Sequence, residues 1–125
     1  MKYTDKIKKD FEKSWIDVKS YFTGITNPQF KLMLDLIDEF IKEGYNSKLR
    51  AGQSLYFLKL TRARLHDGNY NISIDMTINE EQKFEIYLYD SKVSNEKIDS
   101  IIVDSVLDND IFNSWLTELI NQDIS

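Results

Sequence analysis

Apolar residues Ile7, Phe11, Trp15, Val18 and Phe22 recur at spacings of three and four, and lysines and acids fill the positions between them. That period draws one apolar stripe along a helix, whose first free N–H groups Thr4 or Asp5 can cap. "TGITNP" interrupts the stripe. Asn27 as cap, with Pro28 in the first turn, then opens a second helix. Phe30, Met33, Leu34, Ile37, Phe40 and Ile41 give it a wider apolar face, so it should be the more buried of the two. Gly44 supplies a left-handed residue to end it, and the short connection favours two antiparallel helices side by side.

Residues 45–53, "YNSKLRAGQ", read as a loop, and after them the period falls to two. Ile72, Ile74, Met76 and Ile78 alternate with polar neighbours, and Phe84, Ile86 and Leu88 alternate with Glu85, Tyr87 and Tyr89. The preceding strand, from Leu55, is apolar on both faces, so the turn after it must fix its orientation. A two-residue Asp67-Gly68 loop would set Lys59 opposite Met76, burying the wrong face. A three-residue loop, His66-Asp67-Gly68 with Gly68 left-handed, pairs Tyr56 with Ile78, Leu58 with Met76 and Leu60 with Ile74. It also sets Lys59 against Asp75 and Thr61 against Ser73 on the other face. A one-residue slip inverts every side chain, so the three-residue register is the one predicted. Arg62 then lies opposite Ile72 at the open end of the sheet, with Arg64 two residues further out. Their stems can rest on apolar surface while the guanidinium groups pair with an anion or a carboxylate, such as an acid of the C-terminal segment.

Beyond Asp90, Ser94 can cap a short helix with Ile98, Ile101, Ile102 and Val106 on one side, and alternation fails there, so a fourth strand is the weaker alternative. "LDND", with Asp108 as N-cap, opens a final helix through Ile111, Phe112, Trp115, Leu119 and Ile120. The pattern predicts one α+β domain over residues 1–125. Two N-terminal helices pack on a three-stranded antiparallel meander, and one or two C-terminal helices complete the core.

A chain of 125 residues, 42% hydrophobic and 30% charged, can build one proper core. No apolar run approaches the roughly 18 residues of a membrane span, and "MKYTDKIKKDFEK" lacks a signal peptide's apolar stretch. With no cysteine, these features predict a cytoplasmic protein without a membrane partner. The net charge of −5 argues against nucleic acid, which repels an acidic surface. Its distribution is uneven. Five basic residues and no acid lie between Lys48 and Arg64, whereas six acids and no lysine or arginine lie between Ile98 and Ser125. Such asymmetry steers a charged partner unless the two segments neutralise each other.

Candidate chemistry is sparse. The one histidine, His66, sits at a predicted turn tip, without the packed nucleophile and acid that a triad needs. Asp104, Asp108 and Asp110 lie close together but lack the glycine and terminal glutamate of a calcium loop. Gly24, Gly44, Gly52 and Gly68 are too scattered to cradle a phosphate. No catalytic residue, metal or cofactor is therefore predicted. The central order of helix, three-stranded meander and helix is similar to that of the double-stranded-RNA-binding domain. That family bridges phosphates with lysines at the start of its last helix, where this chain reads "SNEKIDS".

What remains is surface. The predicted outer sheet face carries Leu55, Phe57, Glu85, Tyr87 and Tyr89 among polar residues, more apolar area than solubility requires. Phe57, Tyr87, Tyr89 and Glu85 are the partner-binding candidates there, and Asp104, Asp108, Asp110 and Glu118 are the candidates for attracting a basic partner. The expected function is non-catalytic: an acidic protein that binds and neutralises another protein, in the manner of an immunity protein or antitoxin. The alternative is a dimeric chaperone or adaptor that holds a client segment on the aromatic face.

Overall fold

Helix α1 (Asp5–Thr23) starts where the Thr4 hydroxyl accepts the Ile7 N–H at 3.3 Å. It is seen in a computed structural model that describes residues 2–65, 68 and 70–125. The predicted stripe is its buried face: Ile7, Phe11, Trp15, Val18 and Phe22 all lie under 5% exposed. Asn27 caps a short 3-10 turn at Pro28–Phe30, which leads into α2 (Lys31–Lys42). Gly44, at φ +84°, closes α2 in the left-handed conformation that a side chain would oppose. Lys19 of α1 and Asp38 of α2 pair across the two helices at 2.6 Å.

Five strands follow rather than three. They are β1 (Arg50–Ser54), β2 (Phe57–Thr61), β3 (Ile72–Ile78), β4 (Phe84–Asp90) and β5 (Lys97–Val103). They form one antiparallel sheet in the order β1-β2-β3-β4-β5, and α3 (Asp110–Ile120) completes the chain's regular structure. The α+β class and the two N-terminal helices stand as predicted; two of the segment assignments do not.

Residues 50–54 are a strand, not a loop. "RAGQS" has almost no β-forming side chains, and its extended state is imposed from outside. It pairs with β2 from Arg50↔Thr61 to Ser54↔Phe57, and α1 covers its other edge. Buried Ser14 is central to that cover. Its hydroxyl donates to the Phe11 carbonyl at 2.5 Å and accepts the Ala51 N–H at 3.0 Å, while Trp15 Nε1 donates to the Leu49 carbonyl at 2.9 Å. A helix thus satisfies the groups that an outer strand would otherwise present to another chain.

Residues 97–103 are also a strand, the weaker of the two alternatives the sequence offers there, rather than the helix it favours. Ile98, Ile101 and Ile102 have helical spacing, but β5 pairs with β4 from Phe84↔Val103 to Tyr89↔Lys97, with an irregularity at Leu88/Tyr89 that breaks the alternation. Ser94 caps a turn instead, accepting the Glu96 N–H at 3.1 Å. A strand where the RNA-binding architecture requires a helix removes that likeness as well. The N-cap of α3 is Asn109, whose side chain accepts the Phe112 N–H at 2.9 Å, and not Asp108.

The register of β2 on β3 is the predicted one: Leu58↔Met76, Lys59↔Asp75 and Leu60↔Ile74. The ladder stops there, however. Tyr56 lies in the β1–β2 turn and does not pair with Ile78, and Arg62 is past the end of β2 while Ile72 pairs with Asp90. Gly68 has the predicted left-handed backbone, at φ +76°; His66 and Asp67, the rest of the predicted loop, lie outside the described residues. The C-terminal residues occupy the place beside 62–64, with Ser125 N–H donating to the Arg62 carbonyl and Arg64 N–H to the Ser125 carbonyl, both at 3.0 Å. Ile124 is thereby buried against Ile7 and Phe11.

One core holds everything else. Leu58, Leu60, Ile74, Met76, Ile78, Phe84, Ile86 and Leu88 from one sheet face meet Trp15 and Phe22 of α1, Met33, Ile37 and Phe40 of α2, and Phe112, Trp115 and Leu116 of α3.

The Ser14 contact gives a direct test of the edge cover. Ser14→Ala improves helix propensity but strands the buried Ala51 N–H, so a net loss of about 1–3 kcal/mol in chemical denaturation is expected. Ser20→Ala, on the exposed side of the same helix, should be neutral or slightly stabilising. Equal effects from the two would show that Ser14 does not hold the edge.

Candidate protein-binding surface

Because all three helices pack on one face of the sheet, the other face has no helix over it among the described residues. Alternation along β2, β3 and β4 puts Phe57, Lys59, Ser73, Asp75, Thr77, Glu85, Tyr87 and Tyr89 on that outer side. Pairing adds Ser100, opposite Tyr87, and Ile102, opposite Glu85.

The centre of this face is a tight polar cluster. Lys59 Nζ sits 2.7 Å from Asp75 Oδ2, and Ser73 donates to Asp75 Oδ1 at 3.0 Å. Tyr70 and Tyr89 stand beside the ammonium, with ring centroids 5.5 and 5.9 Å away. The pair is half-buried rather than solvated, since the two side chains are only 19% and 13% exposed. Burial alone would lower the Lys59 pKa, but the hydrogen bond and charge of Asp75, helped by Tyr70, outweigh it and raise the pKa above the ordinary lysine value.

Towards β5 the face becomes aromatic. Phe57 and Tyr87 approach to 6.0 Å between ring centroids, and Lys97 Nζ lies 4.7 Å from the Tyr87 centroid. Tyr87 donates to Glu85 Oε1 at 2.9 Å, and Asn79 holds the other carboxylate oxygen at 3.2 Å. Burial, then this bond to Glu85 and its charge, raise the Tyr87 pKa. Of the sequence candidates, the structure therefore brings Phe57, Tyr87 and Glu85 together, with Tyr89 beside Lys59.

The acids lie elsewhere. Asp104 directly follows β5, and Asp108, Asp110 and Glu118 lie on the segment beyond it and on α3; all four are exposed. Asp108 lines a cleft of about 500 Å³ with Glu39, Glu43 and Lys42 of the α2 end. The two groups of candidates thus form two surfaces rather than one.

Arg62 is turned to the fold's own backbone. Its Nη1 donates to the Lys48 carbonyl at 2.7 Å and its Nε to the Gln122 carbonyl at 3.1 Å, above the Tyr3 ring. Burial lowers its pKa, against the opposing charges of Tyr3 and Asp123. Arg64 is exposed, and its own carbonyl accepts from Arg50 Nη2 at 2.5 Å.

The least legible feature is the β1–β2 turn. Ser54 pairs with Phe57, leaving Leu55 and Tyr56 as a two-residue loop. Leu55 has φ +54°, in the region where such turns favour glycine or asparagine, and its side chain is 75% exposed; Tyr56 is 58% exposed. Both carbonyls of the loop are held, Leu55 O by the Tyr21 hydroxyl at 2.9 Å and Tyr56 O by the Thr77 hydroxyl at 2.8 Å. Beside it a cleft of about 740 Å³ opens between the α1–α2 connection and the sheet, with Tyr21, Phe30, Tyr56 and Phe57 among its walls. Phe57 belongs to both cleft and outer face, which makes them one continuous surface.

No group of three or more histidine, cysteine, aspartate or glutamate side chains that could hold a metal ion occurs among the described residues, and none of the helices there is long and apolar enough to cross a membrane. No family model, curated protein or solved structure matches the chain.

The half-buried Lys59–Asp75 pair should be worth more than an exposed one. Lys59→Met or Asp75→Asn alone should cost about 2 kcal/mol, between the ~0.2–1 kcal/mol of exposed pairs and the ~3–5 kcal/mol of fully buried ones. A double-mutant cycle should give a coupling above about 1 kcal/mol. Because the Lys59 pKa is raised, its contribution is complete below the ordinary lysine value and is lost as pH climbs through the raised one. The gap between wild type and Lys59→Met should accordingly close in strong alkali. A gap that widens there would reverse the assigned sign.

Proposed function

We propose that this chain is a non-catalytic protein-binding protein, an acidic inhibitor of the immunity or antitoxin kind, which holds its partner on the outer sheet face and the adjoining aromatic cleft. The observation that carries this reading is the Leu55 turn. A leucine in the left-handed region costs about 1–2 kcal/mol, and strain of that size persists only where surrounding contacts over-determine it. Here two side-chain hydroxyls from separate elements fix the loop. The result is a large apolar side chain aimed at solvent, beside a second one and the mouth of a cleft. Nothing in the fold's own core uses it.

The roles then divide. Leu55, Tyr56, Phe57 and Tyr87 supply the apolar and aromatic contact that limits dissociation. Asp104, Asp108, Asp110 and Glu118 contribute to a net charge of −5 that draws in a basic partner from a distance. A chaperone or adaptor function is the second reading, favoured by the cleft alone, which has room for the side chains of an extended client segment.

The test uses the partner that co-purifies with the full chain and is cross-linked to it. Leu55→Gly should raise stability by about 1 kcal/mol, since it relieves the backbone, and weaken binding at least tenfold through faster dissociation. Gln82→Gly, at another turn with positive φ (+61°), should stabilise in the same way and leave binding unchanged. Asp108→Asn with Asp110→Asn should slow association at low salt and lose its effect at high salt. A Leu55→Gly protein that is stabilised but binds as well as the wild type would refute the assigned surface. Equal affinity for the unfolded partner would favour the chaperone reading.

A further inference from the structure

The two edges of the sheet are built differently. At β1, Ser14 and Trp15 of α1 take up the outward groups of Ala51 and Leu49. At β5 no helix intervenes: residues 97–100 and 102 are exposed, and only Ile101 and Val103 are half-buried, on the core side. Seven residues of open strand are a template for another strand.

We propose that two copies of this chain join at β5, antiparallel about a two-fold axis through Ile102, into one sheet continuous across both. The free groups of the strand set the parity. Ser100 N–H donates to Asp99 Oδ1 at 2.8 Å, on the side away from β4. By alternation the N–H and C=O groups of Ile102 face the open edge too. Two copies related by an axis perpendicular to the sheet pair even-numbered residues with even-numbered ones, as this geometry requires.

Protection along the edge is uneven, and that locates the contact. The first half of β5 is blunted by the irregularity at Leu88/Tyr89, by the Asp99 cap and by Lys97. The second half, Ile101-Ile102-Val103, carries none of these devices and includes Ile102, 61% exposed. A two-fold contact must be self-complementary, and this triplet is. Centred on Ile102, it sets Ile102 against its copy on the outer face, Ile101 against Val103 on the core face, and Ser100 against Asp104. No like charges stand opposite each other. A slide that centres the axis on Asp99 would oppose two aspartates and is disfavoured. The Leu55 turn lies at the other end of the sheet, so this contact leaves it free and does not depend on the partner proposed above.

Sedimentation of the purified full chain over a wide concentration range tests this. The wild type should approach twice 14.8 kDa as concentration rises. Ile102→Lys and Ile102→Glu each place like charges face to face across the axis, so each alone should remain monomeric while melting like the wild type. Mixed in equal amounts, the two variants should form a heterodimer, because lysine then faces glutamate. A wild type that stays monomeric at every concentration overturns the proposal, as do variants that still dimerise singly. Monomeric variants that fail to associate when mixed overturn it too, because another register or contact would then be responsible.

Discussion

The pairing of β2 with β3 is the constraint from which the rest of the molecule follows. Side chains alternate along a strand, so setting Lys59 against Asp75 also sets Leu58 against Met76 and Leu60 against Ile74. One step either way would bring a lysine into the core and turn leucines to solvent. The pair is only half-buried, yet it is bound on every side: Ser73 on the carboxylate, Tyr70 and Tyr89 along the ammonium. A polar cluster of this kind distinguishes one register from its neighbours more sharply than apolar contact does, because mismatching it strands charges in a poorly solvated place. The helices then have a single apolar face to cover, and they cover it.

That choice leaves the sheet with one face that no helix covers among the described residues, and two edges, of which only one is covered by a helix. Helix α1 contributes Trp15, Val18 and Phe22 to the core, and through Ser14 and Trp15 it also takes up the Ala51 N–H of β1 and the Leu49 carbonyl just before it. It thereby does what neither core packing nor sheet pairing could do alone. "RAGQS" becomes a strand because two neighbours require it.

The elements that were legible in the sequence are those whose signal is local. Thr4, Asn27 and Gly44 act at the helix ends where their chemistry put them, and the stripes of α1 and α2 are the buried ones. The β2–β3 register was legible because two apolar patterns could be compared. The misses share a cause. β1 has no strand pattern of its own; β5 has helical spacing that pairing with β4 overrides; the Leu55 turn has no glycine to mark it. Each is fixed by contacts from residues far along the chain, Ser14 for β1, Tyr21 and Thr77 for the turn. For the surface, the closeness of Phe57 to Tyr87 followed from register, whereas Tyr21, Phe30 and Tyr56 meet only once the α1–α2 connection is folded over the sheet end.

The turn also bears on how affinity and recognition divide in a protein of this size. A glycine at position 55 would relax the loop, and an aspartate or asparagine there would tolerate it; the chain has a leucine, whose side chain opposes this backbone. Its backbone strain is balanced by two hydroxyl–carbonyl bonds that a relaxed turn would not need. For the partner proposed above, the gain would be preorganisation: a loop held by these two bonds loses little chain entropy when it is covered. In the same proposal the exposed acids would act over a longer range and need no fixed geometry. They follow β5 and continue onto α3, away from the Leu55 turn. Under the proposed binding function, separating a fixed apolar contact from a diffuse charge would let one surface set how long the complex lasts and another how quickly it forms.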